Sequence, residues 1–169
     1  VIDMKNADKF LIGIVIGVLL LVVTAWIILA NRPAPAYQAE NTPTAVVNNY
    51  LLALKTDDLE KAYTYLSPTL QGYPANAEEF INDVEDQRWQ FHLESEQDHS
   101  FQFKILRETD DSASVEVSET VYYQSGLFEN SHYTQTFVMR LAKDQNGLWL
   151  IRSADDYWHS CWTTAKGCP

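Results

Sequence analysis

The feature that most constrains this chain is the run from Phe10 to Ala30, FLIGIVIGVLLLVVTAWIILA, twenty-one residues without one ionisable side chain. At helical rise it would be about 31 Å long, matching the roughly 30 Å hydrocarbon core of a bilayer. A helix buried in a globular domain normally keeps a polar stripe, and this run is apolar on every side. It is therefore read as a transmembrane helix over residues 10–30. The competing reading is a cleaved signal peptide, with Lys5 and Lys9 as its basic start and Ala34-Pro35-Ala36 as its cleavage site. Signal cores usually span about 7–15 residues, so the expectation is an uncleaved single-pass anchor. Lys5 and Lys9 precede the run and Arg32 alone follows closely. That bias places residues 1–9 in the cytoplasm and the bulk of the chain outside a bacterial cell membrane, in the periplasm or the extracellular space. Gly13 and Gly17 form a GxxxG pair that lets a second helix approach, although glycine is also simply common in membrane helices. Trp26 suits an interfacial position.

The remainder is acidic, with 23 Asp and Glu against 12 Lys and Arg and a net charge of −11 in the whole chain. Nucleic acid is excluded as a partner, because phosphate backbones require clustered cations. Cys161 and Cys168 are close enough in sequence to pair as a disulfide, as an oxidising compartment allows. So small a loop would contribute about 2–3 kcal/mol and pin a tail that otherwise frays. A metal site is the weaker alternative: two cysteines need two further ligands, for which His159 and His132 are the candidates. No glycine-rich nucleotide loop and no CxxCH haem signature occur, so no cofactor and no metal are expected.

Residues 31–41, rich in Pro and without periodicity, read as a linker to a domain over residues 42–169. Thr42 and Pro43 suit a helix start, and Val46, Val47, Tyr50, Leu51 and Leu54 follow at helical spacing. Asp57-Asp58 open a second helix that carries Leu59, Ala62, Tyr63 and Leu66, ended by Ser67-Pro68. A third helix is predicted over 75–85, with Phe80, Ile81 and Val84 inward. From Arg88 the period becomes alternating. Trp89, Phe91 and Leu93 predict one strand, and Phe101, Phe103 and Ile105 the next. Ala113, Val115 and Val117 follow, then Tyr133, Phe137, Met139 and Leu141, and finally Leu148 to Ile151. Turns are expected at 109–112, Ser125-Gly126 and Gln145-Asn146-Gly147. Helices followed by an antiparallel meander give an α+β class.

The stretch TPTAVVNNYLLALKTDDLEKAYTYLSP resembles the opening helix pair of NTF2-like (cystatin-like cone) domains, and NGLWLI resembles the hairpin and last strand of that superfamily. The resemblance spans roughly Thr42 to Ser153. It implies two to three helices packed on a curved antiparallel sheet. Members that are enzymes, of the ketosteroid isomerase or dehydratase kind, place Asp, Tyr or His inside the cone. Here Asp83, His92, Tyr50 and Tyr63 are the residues to weigh. Asp83 sits in an acidic helix end, His92 alternates away from Phe91 and Leu93, and the tyrosines are at core spacing. No catalytic residue is expected.

The tail DDYWHSCWTTAKGCP gathers Tyr157, Trp158 and Trp162 around Cys161. These aromatics cover an open end of the cone, contact a partner, or do both. The first functional reading is a non-catalytic, membrane-anchored accessory subunit of a larger bacterial membrane complex, with respiratory or photosynthetic electron-transfer assemblies as the class. Its partners would be other membrane subunits, reached through the anchor and the outer domain, and membrane lipid. A basic soluble protein could also be steered in by the acidic surface. The alternatives are a binding module for a small apolar ligand or lipid and a dehydratase- or isomerase-type enzyme.

Overall fold

The computed structural model describes residues 4–30, 36–94, 98–124 and 130–168. The chain divides into two units, Val1–Ala36 and Tyr37–Pro169. Among its described residues the first holds one helix, α1 (Met4–Ala30), which starts before the predicted span. Every side chain described in it, from residue 11 to residue 27, is exposed. The Thr24 hydroxyl donates to the Leu20 carbonyl at 2.6 Å, so the run's one hydroxyl is satisfied within the helix. Among the described residues no helix is long and apolar enough to cross a membrane. The described side chains of α1 cover only 11–27, and the apolar run in the sequence extends past them at both ends.

In the second unit, Thr42 is extended and its Oγ1 accepts from the Ala45 amide, with Pro43 in the first turn of α2 (Pro43–Lys55). This pairing satisfies an otherwise orphaned amide and presets the first helical φ. Val46, Val47, Tyr50, Leu51 and Leu54 all face inward and are buried. Asp58 caps the short α3 (Leu59–Tyr63) by accepting from the Lys61 amide. Asn76 caps α4 (Ala77–Asp86) in the same way, accepting from Glu79, which is why that helix begins two residues later than the spacing predicts.

Four strands are described: β1 (Asp98–Glu108), β2 (Ser112–Gln124), β3 (Asn130–Lys143) and β4 (Trp149–Ala154). They form one antiparallel meander in the order β1-β2-β3-β4. Ala113, Val115 and Val117 of β2 share the inner face with Phe137, Met139 and Leu141 of β3 and with Trp149 and Ile151 of β4. Helix α2 packs on this face against β1, β2 and β4. The class is therefore α+β, as expected. On the edge strand β1, Phe101 and Phe103 are part-buried, whereas Ile105 lies beside a register shift and is 41 % exposed.

One predicted strand is absent. The segment around Trp89, Phe91 and Leu93 is a chain of turns, with Gln90 donating to Gln87, Phe91 to Arg88 and His92 to Trp89. His92 has a φ of +52°, which no strand contains. Phe91 is fully buried against the Trp162 ring at 5.7 Å, so one side chain, not an alternating face, anchors this segment. The expected Ser125-Gly126 turn and residues 31–35 of the linker lie outside the described residues. The last hairpin matches expectation: Gly147 takes a φ of +80°, and the Asp144 carboxylate accepts from the amides of Asn146 and Leu148.

The tail closes the core. Cys161 and Cys168 are joined as a disulfide, and Trp162 sits in a 3₁₀ turn (Ser160–Thr163). The Trp162 ring stacks on Phe80 at 5.0 Å and meets Trp158 edge-on at 5.1 Å. Gly72 seats this turn: its amide donates to the Trp162 carbonyl at 3.0 Å. A Cβ at Gly72 would collide with the Cys161 carbonyl and lie 2.7 Å from that of Thr164. Both are backbone atoms that cannot swing aside. Gly72→Ala should therefore destabilise the fold by about 1–3 kcal/mol, the range of overpacking, read by denaturant unfolding of the full chain in mild detergent. An unchanged midpoint would mean that the tail does not need this close approach.

Candidate functional site: a buried carboxylate network

On β2 the inward positions run Ala113, Val115, Val117, Glu119, Val121. Glu119 thus occupies a core position by strand alternation, and it is fully buried. Its cross-strand partners are Phe101 on β1 and Gln135 on β3, with His99 one pleat away opposite Val121. Oε1 of Glu119 meets both the Nδ1 of His99 and the hydroxyl of Tyr157. Oε2 accepts from the Gln135 amide nitrogen at 2.8 Å. A carboxylate taken from water would cost several kcal/mol, and these converging donors supply what water otherwise would.

The network continues outward. The Gln135 side chain also donates to Asp156 Oδ2 at 3.2 Å. Asp156 Oδ1 accepts from the Tyr157 amide at 2.8 Å and pairs with His92 Nε2 at 3.1 Å. The His92 ring stacks on Tyr157, centroids 4.8 Å apart, and Asp156 raises its pKa above the ordinary value. Tyr157 has a φ of +55°, and the Tyr50 hydroxyl holds its carbonyl at 2.8 Å. Burial pushes both tyrosine hydroxyls far above their ordinary pKa. At the end of α2, Lys55 reaches over the Phe101 ring at 5.2 Å. Although its side chain is exposed at the surface, desolvation by this packing lowers its pKa to about 8, against the pull of Glu119 and Asp98. Nε2 of His99 is buried without a hydrogen-bond partner among the described residues.

Aromatic rings enclose the His99–Glu119 contact. The rings of Phe101, Phe137 and Tyr157 pack around it, with Tyr157 5.9 Å from Phe101 and 5.6 Å from Phe137. Three groups, His99, Tyr157 and Gln135, hold the carboxylate in place.

Of the residues weighed from sequence, His92 and Tyr50 join this network, the first through Asp156 and the second through the Tyr157 carbonyl. Asp83 serves the tail, accepting from the Trp162 indole at 2.7 Å, and burial raises its pKa. The Tyr63 hydroxyl donates to the Pro74 carbonyl, its ring stacked on Tyr73. Tyr157, Trp158 and Trp162, considered as partner contacts, are all buried within the second unit, the head, where they pack in its core. His159, Cys161 and Cys168 bring their ligating atoms within 4.8 Å of one another, but the two sulfurs are bonded together. His132 is not in this group; it lies on β3 against the Tyr122 ring. Gly13 and Gly17 stand on α1 with nothing within 4 Å of an added Cβ. Glu119, His99, Gln135 and Asp156 escaped sequence reading. The signal was there for Glu119, an acid at an inward position of a valine-rich strand.

Glu119→Ala would strand His99 and Tyr157 without their acceptor and should cost about 3–5 kcal/mol, measured by denaturant unfolding. The His92–Asp156 pair makes a pH prediction. A histidine whose folded pKa is raised contributes its full stability below the unfolded value of 6.5 and loses it as pH rises through the folded value. As pH rises above 6.5, wild-type protein should lose stability by an increment that His92→Asn, which tolerates the positive φ, does not show. Parallel pH profiles for the two proteins would refute the assignment.

No curated protein matches the chain in sequence. Among solved structures, the head is similar to Aln2 from a Streptomyces species (16% identity, 73% of this chain and 91% of that one, TM-score 0.46). It is also similar to RPA3114, a SEC-C motif containing protein from Rhodopseudomonas palustris (13% identity, 70% and 80%, TM-score 0.45). A third is a protein from Catenulispora acidiphila (14% identity, 66% and 84%, TM-score 0.44). By sequence, the family model described as a domain of unknown function, DUF4864, matches residues 36–155, which covers α2, α3, α4 and the four strands, with Glu119, His99, Gln135 and His92, and ends just before Asp156 and Tyr157. The chain belongs to the DUF4864 family.

Proposed function

We propose that this protein is a non-catalytic, membrane-anchored accessory subunit of a larger bacterial membrane complex, of the respiratory or photosynthetic electron-transfer class. In this reading α1 spans the cell membrane once, and an NTF2-like head on the outer side works by holding neighbouring subunits. The observation that carries it is the apolar surface of α1: the side chains of residues 11–27 are exposed on every face, inside a longer uncharged run. Water does not tolerate so large a contiguous apolar surface, and lipid or other helices would cover it. The NTF2-like assignment is supported by the order of elements, helices first and then a four-stranded meander with α2 across its inner face. The non-catalytic assignment is supported by the filled interior, where Tyr50, Phe91, Tyr157 and Trp162 are fully buried.

One observation favours a second reading. The buried His99–Glu119 pair, whose His99 Nε2 has no hydrogen-bond partner among the described residues, has the parts of a general base for isomerase- or dehydratase-type chemistry. Soaking in small carbonyl compounds and finding one within hydrogen-bond reach of His99 would support it.

Extraction in gentle detergent followed by native electrophoresis tests the first reading. The protein should migrate with a complex far larger than 19.3 kDa. The Gly13→Leu/Gly17→Leu variant should be released from it, because two leucines block close helix approach. Migration of the wild type alone, at its own mass plus detergent, would end the subunit reading.

A further inference from the structure

In a chain of net charge −11, three of the five arginines line one trough on the outer face of the sheet. A straight cross-strand row runs Arg107, Ser114, Arg140, Ser153 through β1, β2, β3 and β4. Serines at Ser112, Ser114 and Ser153 keep the floor low between the long guanidinium arms, leaving a cavity of about 500 Å³. Two register shifts build it. On β1 the shift between Ile105 and Arg107 sets Arg107 opposite Ser114. On β4 the shift leaves Arg152 as the extra residue between Ile151 and Ser153, and Arg152 also lines the trough. Bulges of this kind re-aim side chains and are common beside functional sites. Arg140 pairs with Asp155 at 2.9 Å, while Arg107 and Arg152 have no ion pair among the described residues.

We infer that this trough binds a phosphate-bearing ligand. Guanidinium forks match phosphate oxygens two at a time, and the serine hydroxyls add donors between them. Arg107 and Arg152, which have no ion pair among the described residues, line one trough with Arg140, and an oxyanion bound there would neutralise them. A cavity of this size admits a group larger than a bare phosphate. The inference stands apart from the role of α1 and from the Glu119 network, which lies on the opposite face. The phosphate could be part of a lipid headgroup or of a soluble compound, and the two sources are separable.

The full chain in a neutral detergent is titrated with inorganic phosphate in one arm and with phosphatidylglycerol in mixed micelles in the other, at constant ionic strength. Binding is followed by calorimetry and by the thermal unfolding midpoint. Saturable binding should appear in at least one arm. Binding of phosphate alone identifies a soluble ligand, and binding of the lipid alone identifies a headgroup. The Arg107→Gln/Arg152→Gln variant should weaken that binding by at least about tenfold, given what hydrogen bonds to charged groups contribute. Arg88→Gln, in a surface pair with Glu85, should leave it unchanged. Ser114→Glu keeps every arginine and places a carboxylate in the floor, and it should weaken binding as well. Absence of binding in both arms, or equal binding by wild type and the double arginine variant, would overturn the assignment.

Discussion

A single carboxylate with no access to water organises the head. Glu119 gathers His99 from β1, Gln135 from β3 and Tyr157 from the segment after β4, so one side chain ties together three strands and the start of the tail. An apolar residue at this position would leave the buried Nδ1 of His99 and the Tyr157 hydroxyl without their acceptor, while Gln135 would keep only Asp156. Leaving such groups unpaired costs more than pairing them gains, so the network is either complete or badly destabilising. That dependence is why Tyr157 accepts a left-handed backbone: its amide, carbonyl and hydroxyl are each bound to a different partner.

The tail depends on that point in turn. Once Tyr157 is set, the chain re-enters the core and drops Trp158 and Trp162 among Phe80 and Phe91. The Cys161–Cys168 link restrains the residues just beyond, and Gly72 admits their backbone at a distance that no side chain would permit. The two faces of the sheet then have different tasks. The inner face is closed by aromatics around one acid, while the outer face carries the arginine trough, made by bulges that leave the inner alternation intact.

Much of the fold is readable in the residues. Thr42 with Pro43 announces α2, the valine alternation announces β2, and Asn146-Gly147 announces the last hairpin, because each is a local pattern with a local cause. The segment at Trp89, Phe91 and Leu93 misleads for the same reason. Its alternation mimics a strand, but a strand needs a neighbour, and here a single buried ring and successive turns took precedence. The site was legible only in part. Glu119 breaks its strand's apolar pattern and can be noticed, whereas its partners lie between 16 and 38 positions away in sequence and carry no mark of their own.

The residues alone determined the uncharged apolar run of α1, the α+β class, the acidity of the chain and the availability of two nearby cysteines, since these follow from composition and short-range period. Only the tertiary structure decided that Tyr157, Trp158 and Trp162 are buried in the core, that Asp83 serves an indole, and that three arginines scattered between positions 107 and 152 line one trough. The physical reason is register: pairing between strands, and the bulges that shift it by one residue, choose which distant side chains share a face, and no local pattern encodes that choice.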